Sequence, residues 1–210
     1  MSKFYGGVYK LLSGIVRRLY RVKIIGAENE PEHGPFIVCA NHISNHDAVI
    51  LSACLKNQVR YLAKAELFKI PLLGQVVKAF GAYPLKRGQS DVGAIKKTIK
   101  LIESGEVVGF FPQGHRYPGV HPGTTELQSG VGLVEVKTEA LILPVAICAK
   151  KFRMHLFRKT KLIIGSPIRF SEFLPLENNK SDYDKISNKI FSEICALIDA
   201  DGSLNNDFKE

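Results

Sequence analysis

Apolar and polar positions alternate along this chain in two rhythms. From Phe4 to Leu19, apolar residues recur at helical spacing (Phe4, Val8, Leu11, Leu12, Ile15, Val16, Leu19). Lys3, Lys10, Arg17 and Arg18 fall largely elsewhere on the wheel. This predicts a basic amphipathic helix over residues 1–20. Such a helix suits either a lipid interface or the flank of a folded body. Short β-branched runs then predict strands at Arg21–Ile25, Pro35–Ala40, Val59–Ala63, Glu106–Phe111, Leu141–Ala149 and Lys161–Gly165, with Gly81–Lys86 extended. Between them, helices are predicted at Ala48–Leu55, Leu72–Phe80, Asp91–Glu103 and Val131–Glu139, and a last one at Tyr183–Leu197. Pro112–Thr125 reads as a loop. The alternation predicts an α/β fold, a central mixed sheet flanked by helices, over 21–201, with a flexible tail at 202–210. No internal repeat or linker divides it.

Composition narrows the class. The 210 residues are 45% hydrophobic and 23% charged, enough for a packed core. The net charge of +9 favours anionic partners: nucleic acid, anionic lipid or phosphorylated small molecules. No DNA- or RNA-binding motif accompanies the charge, so nucleic acid is not an expected partner. Cys39, Cys54, Cys148 and Cys195 have no ligand-like spacing and sit among apolar neighbours, which reads as buried, reduced thiols facing a reducing cytoplasm. No signal peptide is evident, and no apolar run reaches the ~18 residues of a spanning helix. A Gly-x-Ser-x-Gly elbow, a Walker A loop and a Gly-x-Gly-x-x-Gly fingerprint are all missing. Serine-hydrolase, nucleotide-triphosphate and dinucleotide chemistry therefore lack their usual handles.

Four segments carry candidate chemistry. Asn41-His42-Ile43-Ser44-Asn45-His46-Asp47 follows a buried strand and precedes a helix, the usual place for a site in an α/β fold. Across such a turn Asp47 can reach the His42 imidazole, fix its tautomer and let it act as general base on an alcohol. Two other readings stand beside this one: His42, His46 and Asp47 as metal ligands, and Ser44, Asn45 or Asp47 as helix caps. Tyr83-Pro84-Leu85-Lys86-Arg87 ends on two cations suited to a phosphate. Phe111-Pro112-Gln113-Gly114-His115-Arg116 places an arginine on a Pro-Gly loop, where backbone N–H groups can approach a ligand. In Leu143-Pro144-Val145 a proline interrupts an apolar strand. That is usually an edge or bulge device, with the wall of an acyl groove as the functional alternative.

In this order, over roughly Val22 to Pro167, the four segments resemble the 1-acyl-glycerol-3-phosphate acyltransferase (lysophosphatidic acid acyltransferase) family. The resemblance implies an acyl groove, a membrane-facing surface and transfer of a fatty acyl group from acyl-CoA or acyl carrier protein. The acceptor would be the sn-2 hydroxyl of 1-acyl-glycerol-3-phosphate, and the product phosphatidic acid. By the same resemblance His42 is the catalytic base and Asp47 its partner, and Lys86, Arg87, Gln113, Gly114, His115 and Arg116 bind the phosphate. Leu143, Pro144 and Val145 serve the acyl donor. Loop N–H groups, Gly114's among them, would face the oxyanion. No cofactor or metal is expected. The implied partners are the donor, a lysophospholipid acceptor and an anionic membrane surface, which places the protein peripherally on the cytoplasmic face. The third block departs from the family's F-P-E-G-T-R: Gln113 stands for its Glu and His115 for its Thr. Rival readings are an acyltransferase for another hydroxylated lipid, a nonenzymatic basic module docking on anionic lipid, and a metal-dependent hydrolase.

Overall fold

The most deeply buried strand follows a run with no polar residue, Phe36-Ile37-Val38-Cys39-Ala40, every side chain of which is shielded from solvent. Strands covered on both faces read as continuous apolar runs, and parallel sheets are made of them. The computed structural model describes residues 3–71, 73–85 and 91–202. In chain order its elements are α1 (Lys3–Leu19), β1 (Val22–Ile25), β2 (Phe36–Ala40), α2 (Asp47–Cys54), β3 (Val59–Arg60), β4 (Leu62–Lys64) and α3 (Leu73–Ala79). These are followed by β5 (Tyr83–Leu85), α4 (Asp91–Glu103), β6 (Val107–Phe110), α5 (Gly130–Thr138), β7 (Leu141–Ala149), β8 (Thr160–Ile164) and α6 (Lys180–Ala200).

Six strands form the main sheet in the order β1-β8-β7-β2-β6-β3. Only the β7–β8 pair is antiparallel, so the sheet is mixed, as the alternation predicted. Helices flank it: α6 packs on β7, β2 and α5, and α1 packs on α2.

Two expectations are corrected and one is narrowed. The strand expected over Val59–Ala63 is split: β3 stays in the main sheet, while β4 pairs with β5 in a separate two-stranded sheet. The break falls at Tyr61, whose buried ring lies over Gly109 of β6, where a Cβ would fall inside the ring. Pro144 is not on an edge strand but in β7, inside the sheet between β8 and β2, and it lies opposite a bulge. The β7–β8 register stops at Val145–Ile164, and the Gly165 N–H then donates to the Pro144 carbonyl at 2.9 Å. Pairing resumes at Ile142–Ile168, one residue out of register, so the 165–167 segment bulges opposite the proline, where its missing N–H costs least. The last helix begins three residues earlier than Tyr183 because Asn179 and Asp182 form a reciprocal capping box.

Helix α1 packs one face on the folded body. Val16 and Leu19 pack against the core, and Arg17 Nε donates to the Ala53 carbonyl at 2.6 Å. Leu11 and Ile15 stay exposed. Among the described residues no helix is long and apolar enough to cross a membrane. Cys39, Cys54 and Cys148 are buried and Cys195 is half-buried, all as free thiols. Burial pushes the Cys54 and Cys195 thiols up to about 11 and the Cys148 thiol to about 12, which keeps them protonated.

Candidate active site

The site begins where β2 ends. Asn41 has no exposed surface, and its carboxamide brackets Ile147 of β7. Nδ2 donates to the Ile147 carbonyl (3.0 Å) and Oδ1 accepts the Ile147 N–H (2.7 Å). The side chain thus continues the β2–β7 pairing one step past the strand and leaves the backbone free to turn.

His42 follows, and its main chain is gripped from both sides by the 112–125 loop. Its N–H donates to Gln113 Oε1 at 2.6 Å, and its carbonyl accepts the Tyr117 N–H at 2.9 Å. The imidazole stacks on Phe111, with ring centroids 4.1 Å apart and planes 14° apart, and Phe111 stacks in turn on Tyr61. Nδ1 lies 2.7 Å from Asp47 Oδ2. That same carboxylate oxygen accepts the N–H groups of Ile43 (2.7 Å) and Ser44 (2.8 Å). With Nδ1–H donating to the carboxylate, Nε2 carries the free lone pair. Solvent exposure divides the pair: Asp47 is 0% exposed and His42 19%, so the base is reachable and its partner is sealed.

This geometry bears on each reading of the segment. Asp47 is the first residue of α2, but its carboxylate turns back into the loop and does not cap the helix. The cap position is His46, whose side chain makes no capping bond. His46 Nδ1 lies near Ser44 Oγ at 3.3 Å, and among the described residues no group of three His, Cys, Asp or Glu could hold a metal ion. What the arrangement can do is accept a proton at Nε2 from a group approaching through the opening, with a buried carboxylate to stabilise the imidazolium.

The other candidates fall in different places. Gln113 is fully buried: besides holding His42, its Nε2 donates to Thr125 Oγ1 at 2.7 Å, so it ties the loop together and presents nothing to solvent. The Gly114 N–H is committed to the Phe111 carbonyl at 3.0 Å, which takes it out of the expected oxyanion role. Its φ of +72° is the left-handed turn that glycine makes cheaply. His115 and Arg116 are exposed beside Tyr117, the His115 and Tyr117 rings being 4.4 Å apart. Lys86 and Arg87 lie outside the described residues. Leu143, Pro144 and Val145 are buried within β7, with Val145 opposite Ala40, and are not brought to the His42 opening.

Sequence reasoning missed the clamping roles of Asn41, Tyr117 and Thr125 and the Tyr61–Phe111–His42 stack. It also missed Tyr20, whose ring lies 5.7 Å from that of His46 and whose hydroxyl is pushed up by burial and by the Asp47 charge.

Residues 21–148 match the acyltransferase family. A 1-acyl-sn-glycerol-3-phosphate acyltransferase of Bacillus subtilis is 32% identical over 162 residues, covering 76% of this chain and 79% of the relative. The chloroplastic enzyme LPAT1 of Arabidopsis thaliana, of the same name, is 28% identical over 94% of this chain, which spans 55% of that longer protein. The crystal structure of the LPA acyltransferase PlsC from Thermotoga maritima shares the fold, with a TM-score of 0.64 at 22% identity over 90% of this chain and 81% of that one.

Proposed function

The chain belongs to the acyltransferase family, and from that premise we propose that it transfers a fatty acyl group from an acyl-CoA or acyl carrier protein thioester to the sn-2 hydroxyl of 1-acyl-glycerol-3-phosphate, giving phosphatidic acid. The observation that carries this reading is the 2.7 Å contact between the reachable His42 imidazole and the sealed Asp47 carboxylate. The acceptor is supported by the names of the Bacillus and Arabidopsis relatives.

In this mechanism His42 Nε2 takes the acceptor's hydroxyl proton as the oxygen attacks the thioester carbonyl. Asp47 stabilises the imidazolium while the tetrahedral intermediate stands. As the carbon–sulfur bond breaks, the imidazolium returns its proton to the departing thiolate, leaving an ester and a free thiol. No acyl-enzyme forms. Arg116, Lys86 and Arg87 supply positive charge and His115 a hydrogen-bond donor for the acceptor phosphate, and orientation of the hydroxyl supplies much of the rate. The +9 charge suits the acidic donor and an anionic membrane surface on the cytoplasmic face. A nonenzymatic lipid-docking module would leave the sealed His42–Asp47 pair without a task.

The test is turnover by the purified protein. It would be given a panel of lysophospholipid acceptors, with oleoyl-CoA and oleoyl carrier protein as donors, and the products read by mass spectrometry. Phosphatidic acid from lysophosphatidate is the expected result. Transfer to a different lysophospholipid alone would overturn the acceptor, and no transfer from either donor would overturn the reading.

A further inference from the structure

The connection between β7 and β8, residues 150–159, reads Lys-Lys-Phe-Arg-Met-His-Leu-Phe-Arg-Lys, with cations at both ends and no acidic residue. Lys151, Arg153, Arg158 and Lys159 are exposed. At the tip, Leu156 is 52% and Phe157 67% exposed, the latter as exposed as Leu11 of α1.

The backbone makes Phe157 harder to explain as chance. The Arg158 N–H points to the His155 carbonyl at 3.4 Å, closing a turn in which Phe157 holds the third position with φ +63°. Glycine or asparagine takes that position at little cost, and a bulky side chain there is strained. Neither backbone ease nor core packing selects phenylalanine at this point.

The loop is fastened to both sides of the site. The Phe157 N–H donates to the Leu19 carbonyl (2.6 Å), one residue before the Tyr20 whose ring faces His46. On the other side the Phe152 carbonyl accepts the Gly119 N–H (2.9 Å), two residues after the Tyr117 that holds His42. Leu11 and Ile15, spaced four apart on α1, extend the exposed apolar side chains along the helix that ends at Leu19.

We propose that Leu156 and Phe157, ringed by Arg153, Arg158 and Lys159, form a lipid-inserting tip that seats the His42 opening on an anionic bilayer. The tip enters the acyl boundary while the cations meet anionic headgroups, the division of labour of an interfacial segment. The cationic ring is what selects a bilayer over a second copy of this chain, since two such rings facing each other repel. The purpose of the tip rests on the lipid-acceptor reading above, but the insertion itself does not.

The chain has no tryptophan, so Phe157→Trp introduces a lone indole, excited apart from the tyrosines at the red edge, into the full-length protein. With phosphatidylcholine vesicles containing phosphatidylglycerol, its emission is expected to shift to the blue and to be quenched by brominated acyl chains. Added salt should weaken both effects. Leu156→Ser with Phe157→Ser should lower vesicle partition about tenfold or more at unchanged circular dichroism, and Arg158→Glu with Lys159→Glu should lower it on anionic vesicles. Vesicle binding with the fluorophore still in water, or a blue shift that follows protein concentration without lipid, would overturn the proposal. Acyl transfer is measured apart: insertion without turnover sinks the lysophosphatidate reading alone, and turnover without insertion sinks the tip alone.

Discussion

Gln113 accepts the main-chain N–H of His42 through Oε1 at 2.6 Å while its Nε2 donates to Thr125 Oγ1 at 2.7 Å. The amide is read at both ends. Thr125 Oγ1 already gives its own hydrogen to the Pro122 carbonyl at 2.7 Å, so it needs a donor opposite it. A glutamate at position 113 has none to offer. A glutamate here would be buried, and it would be met only if the Thr125 hydroxyl turned away from the Pro122 carbonyl, which keeps the Thr125 N–H at 3.0 Å. Gln113→Glu is expected to destabilise the fold by about 1–3 kcal/mol, the cost of a buried, poorly satisfied polar group. Gln113→Glu combined with Thr125→Ala should recover part of it. Urea unfolding of both variants measures this, and equal losses would show that the two positions are not coupled.

The His42–Asp47 pair predicts a kinetic signature. His42→Ala removes the base and Asp47→Asn weakens its support. Each should lower kcat by about 10²–10⁴-fold with the acceptor KM little changed. Steady-state kinetics at saturating donor checks this. Near wild-type kcat in the first variant would remove the base assignment.

Arg116 is exposed beside the Tyr117 that clamps His42, so its truncation leaves the base in place. Arg116→Ala is expected to raise the acceptor KM about tenfold or more with kcat closer to wild type, because a phosphate contact made equally in ground and transition state changes binding alone. An unchanged KM would place the phosphate elsewhere.

Much of this was legible in the chain because the signals are local. The apolar run Phe36–Ala40 and the block that follows it located β2, His42 and Asp47. The clamps were not legible, since they join residues far apart in sequence: Asn41 to Ile147, Gln113 to Thr125, His42 to Tyr117. Pro144 signalled an edge or a bulge, and only the strand order and the one-residue slip between Val145–Ile164 and Ile142–Ile168 show that it is the bulge. Gly114 misled: a glycine next to a site suggests a ligand-facing N–H, whereas here the turn consumes it.

Gly109 predicts a route from packing to catalysis. Its missing side chain admits the Tyr61 ring, on which Phe111 stacks, and Phe111 carries the His42 imidazole. Gly109→Ala forces Tyr61 aside and should cost about 1–3 kcal/mol, as overpacking does. It should also lower kcat at temperatures where the variant is fully folded, since the support beneath the base is displaced. A variant that lost stability and kept kcat would show that the stack is merely structural.

Glu135 gives the pH dependence. It is fully buried in α5, both carboxylate oxygens lack a hydrogen-bond partner among the described residues, and burial, helped by the nearby Glu139 charge, pushes it up to about 8 from an ordinary 4.5. The folded chain therefore holds a proton that the unfolded chain releases between those two values. The contribution to stability is fully present below about 4.5, declines as pH rises through the window and is lost above about 8. At about 1.4 kcal/mol per pH unit the loss amounts to a few kcal/mol. Glu135→Gln keeps the size, removes the charge and should flatten this slope, so its advantage over wild type should grow from pH 5 to pH 9. Thermal unfolding of both proteins across that range is the check: parallel curves would mean that Glu135 takes no part in the pH dependence, and a variant less stable at every pH would mean that the carboxyl is better accommodated than its lack of partners implies.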